Sequence, residues 1–242
     1  MKKPVTLYIL LLALSIGVLF LLNLFLGSVD IPFRSIWNIL WGMDEGESVI
    51  WQNIIWKSRV PQALTAMVAG AGLAVSGLQM QTVFRNPLAG PSVLGISSGA
   101  SLGVAFVVLL SGSIGGIALS RLGFMGEIAL TMAAIIGALS IMALIVYVSQ
   151  KVHGNVTLLI IGVMIGYVAN AVIGVLKFFS VEEDIRAYII WGLGSFARVS
   201  GNQMMVFVCI MAVLLPLSFL LIKTLNLLLL GDAYARNLGL NI

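Results

Sequence analysis

Few side chains in this sequence could do chemistry inside a membrane, and the clearest stands where the backbone is broken. Asn86 lies in Phe84-Arg85-Asn86-Pro87-Leu88-Ala89-Gly90-Pro91, between two apolar runs. Pro87 lacks an N–H and drives Asn86 out of helical dihedrals, and Gly90-Pro91 repeats the interruption, so no helix passes through intact. A polar break at that place must be packed in protein, face a water-filled cavity or reach the interface. Its amide can exchange hydrogen bonds with water or a passing solute, which suggests a transport path. Another amide inside an apolar run is Asn170, in the row Gly162, Gly166, Asn170, Gly174. Four-residue spacing puts these on one helix face. That face either packs tightly with an interhelical hydrogen bond or lines a polar pathway, and spacing leaves both open. The rows Ala66, Gly70, Ala74 and Gly95, Gly99, Gly103 read as close helix packing rather than solute contact.

The missing groups narrow the function further. No Asp or Glu lies inside an apolar run, with Glu127 at a boundary. Ion-coupled carriers commonly hold the driving ion with an ionisable group at membrane depth. There is no GxxxxGK[ST] phosphate loop, no HExxH, no paired intramembrane acids and no Ser/His pair suited to intramembrane catalysis. His153 has no metal-ligand neighbour at suitable spacing and reads as a loop residue, and Cys209, the single cysteine, can form no intrachain disulfide. The expectation is a non-enzymatic chain with no cofactor and no metal, drawing any driving energy from a partner.

The elements that must carry these residues follow from composition. Sixty per cent of residues are hydrophobic and nine per cent charged, the balance of a polytopic membrane protein rather than a soluble domain. Six runs approach the roughly 20 residues that cross a bilayer: about 5–26, 61–83, 92–111, 127–149, 156–178 and 202–222. The ten-residue alternation of a transmembrane barrel is absent. The expected fold is an all-α transmembrane helical bundle in one domain, 1–242. The first run is too long for a signal core and lacks an evident cleavage site, so it reads as a retained span. A formal charge of +4 spread over loops leaves no nucleic-acid footprint. With the N-terminus inside, Lys and Arg divide six inside to seven outside, so orientation rests on Lys2-Lys3.

Between the spans, 27–58 holds Trp37, Trp41, Trp51 and Trp56 among charged residues and predicts short interfacial helices that anchor at the membrane surface. The stretch 180–201 is amphipathic and suits a surface helix. After the sixth run, Asp232 is a plausible N-cap and Gly239 a plausible stop, bracketing a short helix with Tyr234 and Leu238 on one side.

The string RVPQALTAMVAGAGLAVSGLQMQTVFRNPLAGPSVLGISSGAS, with LNLLLLGDAYARNLGLNI, closely resembles the FecCD-type permeases of bacterial ABC importers for iron-siderophores, haem and vitamin B12. The resemblance covers essentially the whole chain and rests on a specific RxP...QxxFRNPLAxPxxLGxSxGA pattern. It implies a ten-helix permease that works as a homodimer in the inner membrane, with its N-terminus cytoplasmic. Two cytoplasmic ABC ATPase subunits and a periplasmic or lipid-anchored substrate-binding protein would be its partners, and the bilayer its surroundings. By position it implies a cytoplasmic gate at Asn86 and Leu88 and a second at Asn155 and Val156, where the family's better-known example has small hydroxyl residues. It places Gly162, Gly166, Asn170 and Gly174 on a path-lining helix. Arg59 corresponds to an arginine that docks the binding protein, while Gln62 replaces a second one. The stretch Asp232, Ala233, Tyr234, Ala235, Arg236, Asn237, Leu238, Gly239 corresponds to the coupling helix that enters the ATPase. The family continues for about four spans past the point matched by Ile242, so this chain by itself is expected not to transport. The function implied is ATP-driven import of an iron chelate, siderophore or haem; cobalamin import and a passive channel or secondary carrier are the alternatives.

Overall fold

Because the chain is apolar almost throughout and lacks strand alternation, helices are the economical way to satisfy its backbone in a bilayer. A computed structural model describes residues 5–43, 46, 48–114, 124–152, 154–197 and 199–240, and every regular element among them is helical. These are α1 (Val5–Phe25), α2 (Phe33–Leu40), α3 (Val49–Ile54), α4 (Val60–Phe84), α5 (Ile96–Ile114), α6 (Phe124–Ser149), α7 (Asn155–Phe178), α8 (Glu182–Gly192), α9 (Gly201–Ser218), α10 (Ile222–Leu229) and α11 (Asp232–Asn237). His153 falls outside the described residues. The chain is all-α and polytopic, and divides into two units, Met1–Gly72 with Ser195–Leu217, and Leu73–Gly194 with Ser218–Ile242.

Among the described residues, five helices are long and apolar enough to cross a membrane: Val5–Phe25, Val49–Phe84, Met125–Ser149, Val156–Phe178 and Gly201–Leu229. The expected run 92–111 instead yields a helix that starts at Ile96, of which Ile96–Leu110 counts as a shorter apolar segment. Its late start has a cause: Gly95 sits at φ +72°, outside the helical region, after a series of turns. Two other spans are longer than expected. The stretch 49–84 is one continuous helix, with a π turn at Ile55–Arg59 joining α3 to α4. Pro61 explains that turn, since its ring cannot sit against the carbonyl four residues back and a wider turn relieves the clash. Of the short interfacial helices expected in 27–58, only α2 stands alone.

The first unit is built around Ile31, Ile36, Ile39 and Ile55, which are buried together. One face of α2 supplies Ile36 and Ile39, while Phe33 and Trp37 on the other face continue a stack that begins at Phe25, with ring centroids 4.7 and 6.3 Å apart. Arg59 locks this unit. It is only 5% exposed, and its guanidinium donates to the carbonyls of Leu24 at 2.6 Å and Phe25 at 3.2 Å, and to that of Val29. The end of α1 thus gains a cationic cap for carbonyls that have no helical partner. A Cβ on Gly27 would lie 2.7 Å from the Arg59 guanidinium, so glycine is required for the cap to close. Arg59→Met is therefore expected to lower stability by about 2–4 kcal/mol, because it strands buried acceptors, with Arg59→Lys recovering part. Thermal unfolding in detergent checks this, and an unchanged midpoint for Arg59→Met would refute the cap.

The second unit packs on backbone contacts. A Cβ on Gly103 would land on the Ala133 carbonyl oxygen, and one on Gly137 would land on the Gly99 carbonyl oxygen, so α5 and α6 meet at glycine on both sides. Val104, Val108, Leu109, Ile173 and Tyr188 bury together beside this contact, drawing α7 and α8 onto α5. A second cluster, Ala89, Leu94, Ile141, Ile145 and Leu159, packs the loop after α4 against α6 and α7.

Candidate functional site

The site begins where α4 stops. Arg85 has φ +47°, the one non-glycine residue at positive φ among the described residues. The Arg85 N–H donates to Thr82 O at 3.3 Å and the Asn86 N–H to Gln81 O at 3.1 Å, the paired closure of a Schellman turn. Past it, the Asn86 side-chain oxygen accepts the Leu88 N–H at 2.9 Å, and the Gln81 amide donates to Pro87 O at 3.1 Å. Asn86 is therefore spent largely on shaping its own loop. That loop holds the Leu88 side chain in the open, 81% exposed.

The loop then runs into Gly95, where an added Cβ would lie 2.8 Å from Gly162 O and 3.3 Å from Gly166 N. Gly162 and Gly166 are buried by this approach, so they serve packing between α7 and the start of α5. Further along the same row, Asn170 is exposed, and a Cβ on Gly174 would meet nothing within 4 Å. The row divides because each residue advances a helix by about 100°, so each four-residue step drifts by about 40°. Three steps carry the row from a packed face to an open one. The expectation that all four residues share one face is corrected to that extent.

The open face of α7 carries Val156, Ile160, Val163 and Tyr167, and these meet the loop. Asn86, Leu88 and Val93 close on Val156, Leu159, Ile160, Val163, Met164 and Tyr167 around an open cleft of about 470 Å³. Asn86 and Leu88 line one space with Val156, which is more than 60 residues further along the sequence. Asn155 begins α7 beside them after Gly154, whose φ of +106° turns the chain into the helix. Among the described residues the lining carries no charged side chain, and its polar side chains are those of Asn86 and Tyr167. Such a lining can let an uncharged or wrapped solute pass. Tyr167 was not singled out in the sequence, though an aromatic 71% exposed on a face with Val156, Ile160 and Val163 is the pattern that marks it.

At the far end of the chain Gly231, φ +109°, occupies the N-cap of α11, so Asp232 is the first helical residue rather than the cap. Gly239, φ +87°, ends the helix: its N–H donates to Arg236 O at 2.9 Å and the Leu240 N–H to Ala235 O at 3.0 Å, a complete Schellman closure. Ala235 is fully buried and anchors the helix, leaving Tyr234 at 68% and Leu238 at 61% exposure on the opposite side. Arg236 and Asn237 fill the last turn between them. Arg59 belongs to the first unit, where its guanidinium is buried against the end of α1.

On α8, Tyr188 is buried against α5 and takes a hydrogen bond with Ser101; burial raises its phenol above the usual range, while that hydrogen bond acts in the opposite sense. Lys177 lies 4.8 Å over the Tyr188 ring. Both contacts hold α8 to the unit and neither reaches the cleft.

Comparison with known proteins gives this geometry its context. The model of the FecCD transport family matches residues 12–242. The chain belongs to the FecCD transport family. Among relatives, a hemin transport system permease of Yersinia pestis is 35% identical over 218 residues, covering 90% of this chain and 61% of the relative. A vitamin B12 import permease of Serratia proteamaculans is 36% identical over 236 residues, covering 97% and 64%. A Helicobacter pylori iron chelatin permease is 38% identical over 191 residues, covering 78% and 53%. A solved chain assigned to the metal-chelate type of ABC transporter, in an inward-facing conformation, superposes with a TM-score of 0.74 at 26% identity and covers 95% of this chain and 67% of that one. This FecCD chain spans between about half and two thirds of the relatives it matches.

Proposed function

We propose that this chain forms the conduit of an ATP-driven importer that moves a metal chelate, an iron-siderophore or haem, across the inner membrane. The observation that carries the reading is the uncharged cleft in which Asn86 and Leu88 meet Val156. Loop and helix start are separate elements, so a small shift of one against the other opens or shuts the space. Asn155 and Val156 form one jaw and Asn86 with Leu88 the other, and the open face of α7, through Asn170 and Gly174, continues the path. α11 is the handle. Its exposed Tyr234 and Leu238, between the Gly231 and Gly239 turns, suit a groove on a cytoplasmic ATPase, with Arg236 and Asn237 at the rim. On this reading the N-terminus is cytoplasmic, a second permease copy completes the passage, and a substrate-binding protein delivers ligand on the outer side, with Arg59 at its docking position.

Chelate selection rests with that delivery, since a lining of aliphatic side chains, one amide and one phenol distinguishes ligands poorly. Cobalamin is the alternative cargo, favoured by the Serratia relative. The test is uptake into proteoliposomes that hold this chain as part of the whole permease, with its ATPase and its binding protein. Ferric chelate accumulation above the outside concentration is expected only with ATP inside the ATPase-facing compartment; equal uptake without the ATPase would establish a passive channel instead.

A further inference from the structure

We propose that Arg85 is a positioning residue that ties the cleft loop to the turn before α11, so that movement of that helix is delivered to Leu88. The inference starts from an unfavourable choice of residue. Seven glycines among the described residues take positive φ, and Arg85 alone does so with a side chain. Left-handed backbone is costly for a residue with a Cβ, and a Schellman turn accepts glycine freely, so the side chain at this place is retained against local preference. What it does is visible at its far end. The Arg85 Nε–H donates to Leu228 O at 3.1 Å, a bond between residues 143 positions apart. Leu228 lies in the last turn of α10, and its carbonyl also accepts the Gly231 N–H at 3.2 Å. Gly231 in turn caps α11, its carbonyl accepting the Ala235 N–H at 2.9 Å.

The near end is equally constrained. Arg85 and Asn86 are bonded to Thr82 and Gln81, Gln81 holds Pro87, and Asn86 holds Leu88. From the α11 cap to the cleft there is thus a short chain of hydrogen bonds with one long-range member, the Arg85 guanidinium. A two-element switch needs such a physical connection if force on one element is to bias the other. Lysine would keep the charge but replace a fixed planar donor with a flexible one, so Arg85→Lys is the conservative variant and Arg85→Gly the one that removes the tie while relieving the backbone.

The transport half of this proposal rests on the reading of α11 and the cleft given above; the tie itself does not. Hydrogen exchange of the permease in nanodiscs, without any ATPase, reads the tie. Arg85→Gly is expected to speed exchange in residues 229–235 about ten-fold, the size of a lost charge-assisted hydrogen bond, with Arg85→Lys in between. Unchanged exchange there overturns the tie. In proteoliposomes that hold the whole permease with its ATPase and binding protein, Arg85→Gly is expected to leave ATPase association intact while chelate moved per ATP falls several-fold. Faster exchange with an unchanged ratio overturns the delivery of movement to Leu88. If the parent permease takes up chelate without ATP, the importer reading fails while the exchange result still stands for the tie.

Discussion

Gly137→Leu is expected to abolish the folded permease, lowering stability by more than about 3 kcal/mol. The argument is steric and local. A Cβ at Gly137 meets the Gly99 carbonyl oxygen and lies 3.0 Å from Gly103 Cα and N, and the reciprocal Cβ at Gly103 meets the Ala133 carbonyl. These obstacles are backbone, so no rotamer change relieves them. The two helices would have to separate, and the buried set of Val104, Val108 and Leu109 on α5 would lose its closure. Gly70→Leu provides the control, because a Cβ there meets nothing within 4 Å, and it should unfold no earlier than the parent. Size-exclusion profiles after heating in detergent separate the outcomes. A Gly137→Leu protein as heat-resistant as the parent would contradict the packing described for α5 and α6.

The second large effect is expected at α11. Tyr234→Asp with Leu238→Asp should eliminate co-purification of the ATPase, while the permease remains folded because both side chains are exposed. A desolvated aromatic anchor typically carries about 2–4 kcal/mol of binding, so losing it and adding charge should weaken association by at least about 30-fold. Titration of the ATPase onto immobilised permease gives the number. Undiminished binding would remove α11 from the interface and with it the proposed handle.

How much of this could be seen in the sequence depends on what kind of signal each feature leaves. Spans at 5–26, 127–149 and 156–178 were legible because burial in lipid demands an unbroken apolar run, and the helices observed end within a few residues of those limits. The break at Asn86-Pro87 and the stop at Gly239 were legible because proline and left-handed glycine leave a local chemical trace. Boundaries set by tertiary geometry left none. Residues 49–58 read as interfacial because they close the stretch 27–58, in which four Trp stand among charged residues, yet a π turn lets the helix continue through them. The row from Gly162 to Gly174 looked like one face because four-residue spacing hides a 40° drift per step. The contacts of Arg59 left no trace in the sequence, and only the fold shows α1 ending over it, with Gly27 making room. The cleft lies between legible and hidden: Asn86 and Val156 stood out singly, but their meeting, and the part of Tyr167 in it, requires the packing of the post-α4 loop on α7.

The cleft is held to open and shut as the partner ATPase binds nucleotide, and one measurement addresses that directly. Cys209 is the single native thiol and is exposed, so Val156→Cys is introduced together with Cys209→Ser. Labelling of residue 156 by a bulky water-soluble maleimide is then followed in the assembled complex with and without trapped ATP. The account predicts a change in labelling rate of about ten-fold or more between the two states, as Leu88 moves over or away from residue 156. Identical rates, with the ATPase demonstrably bound and nucleotide-loaded, would contradict it.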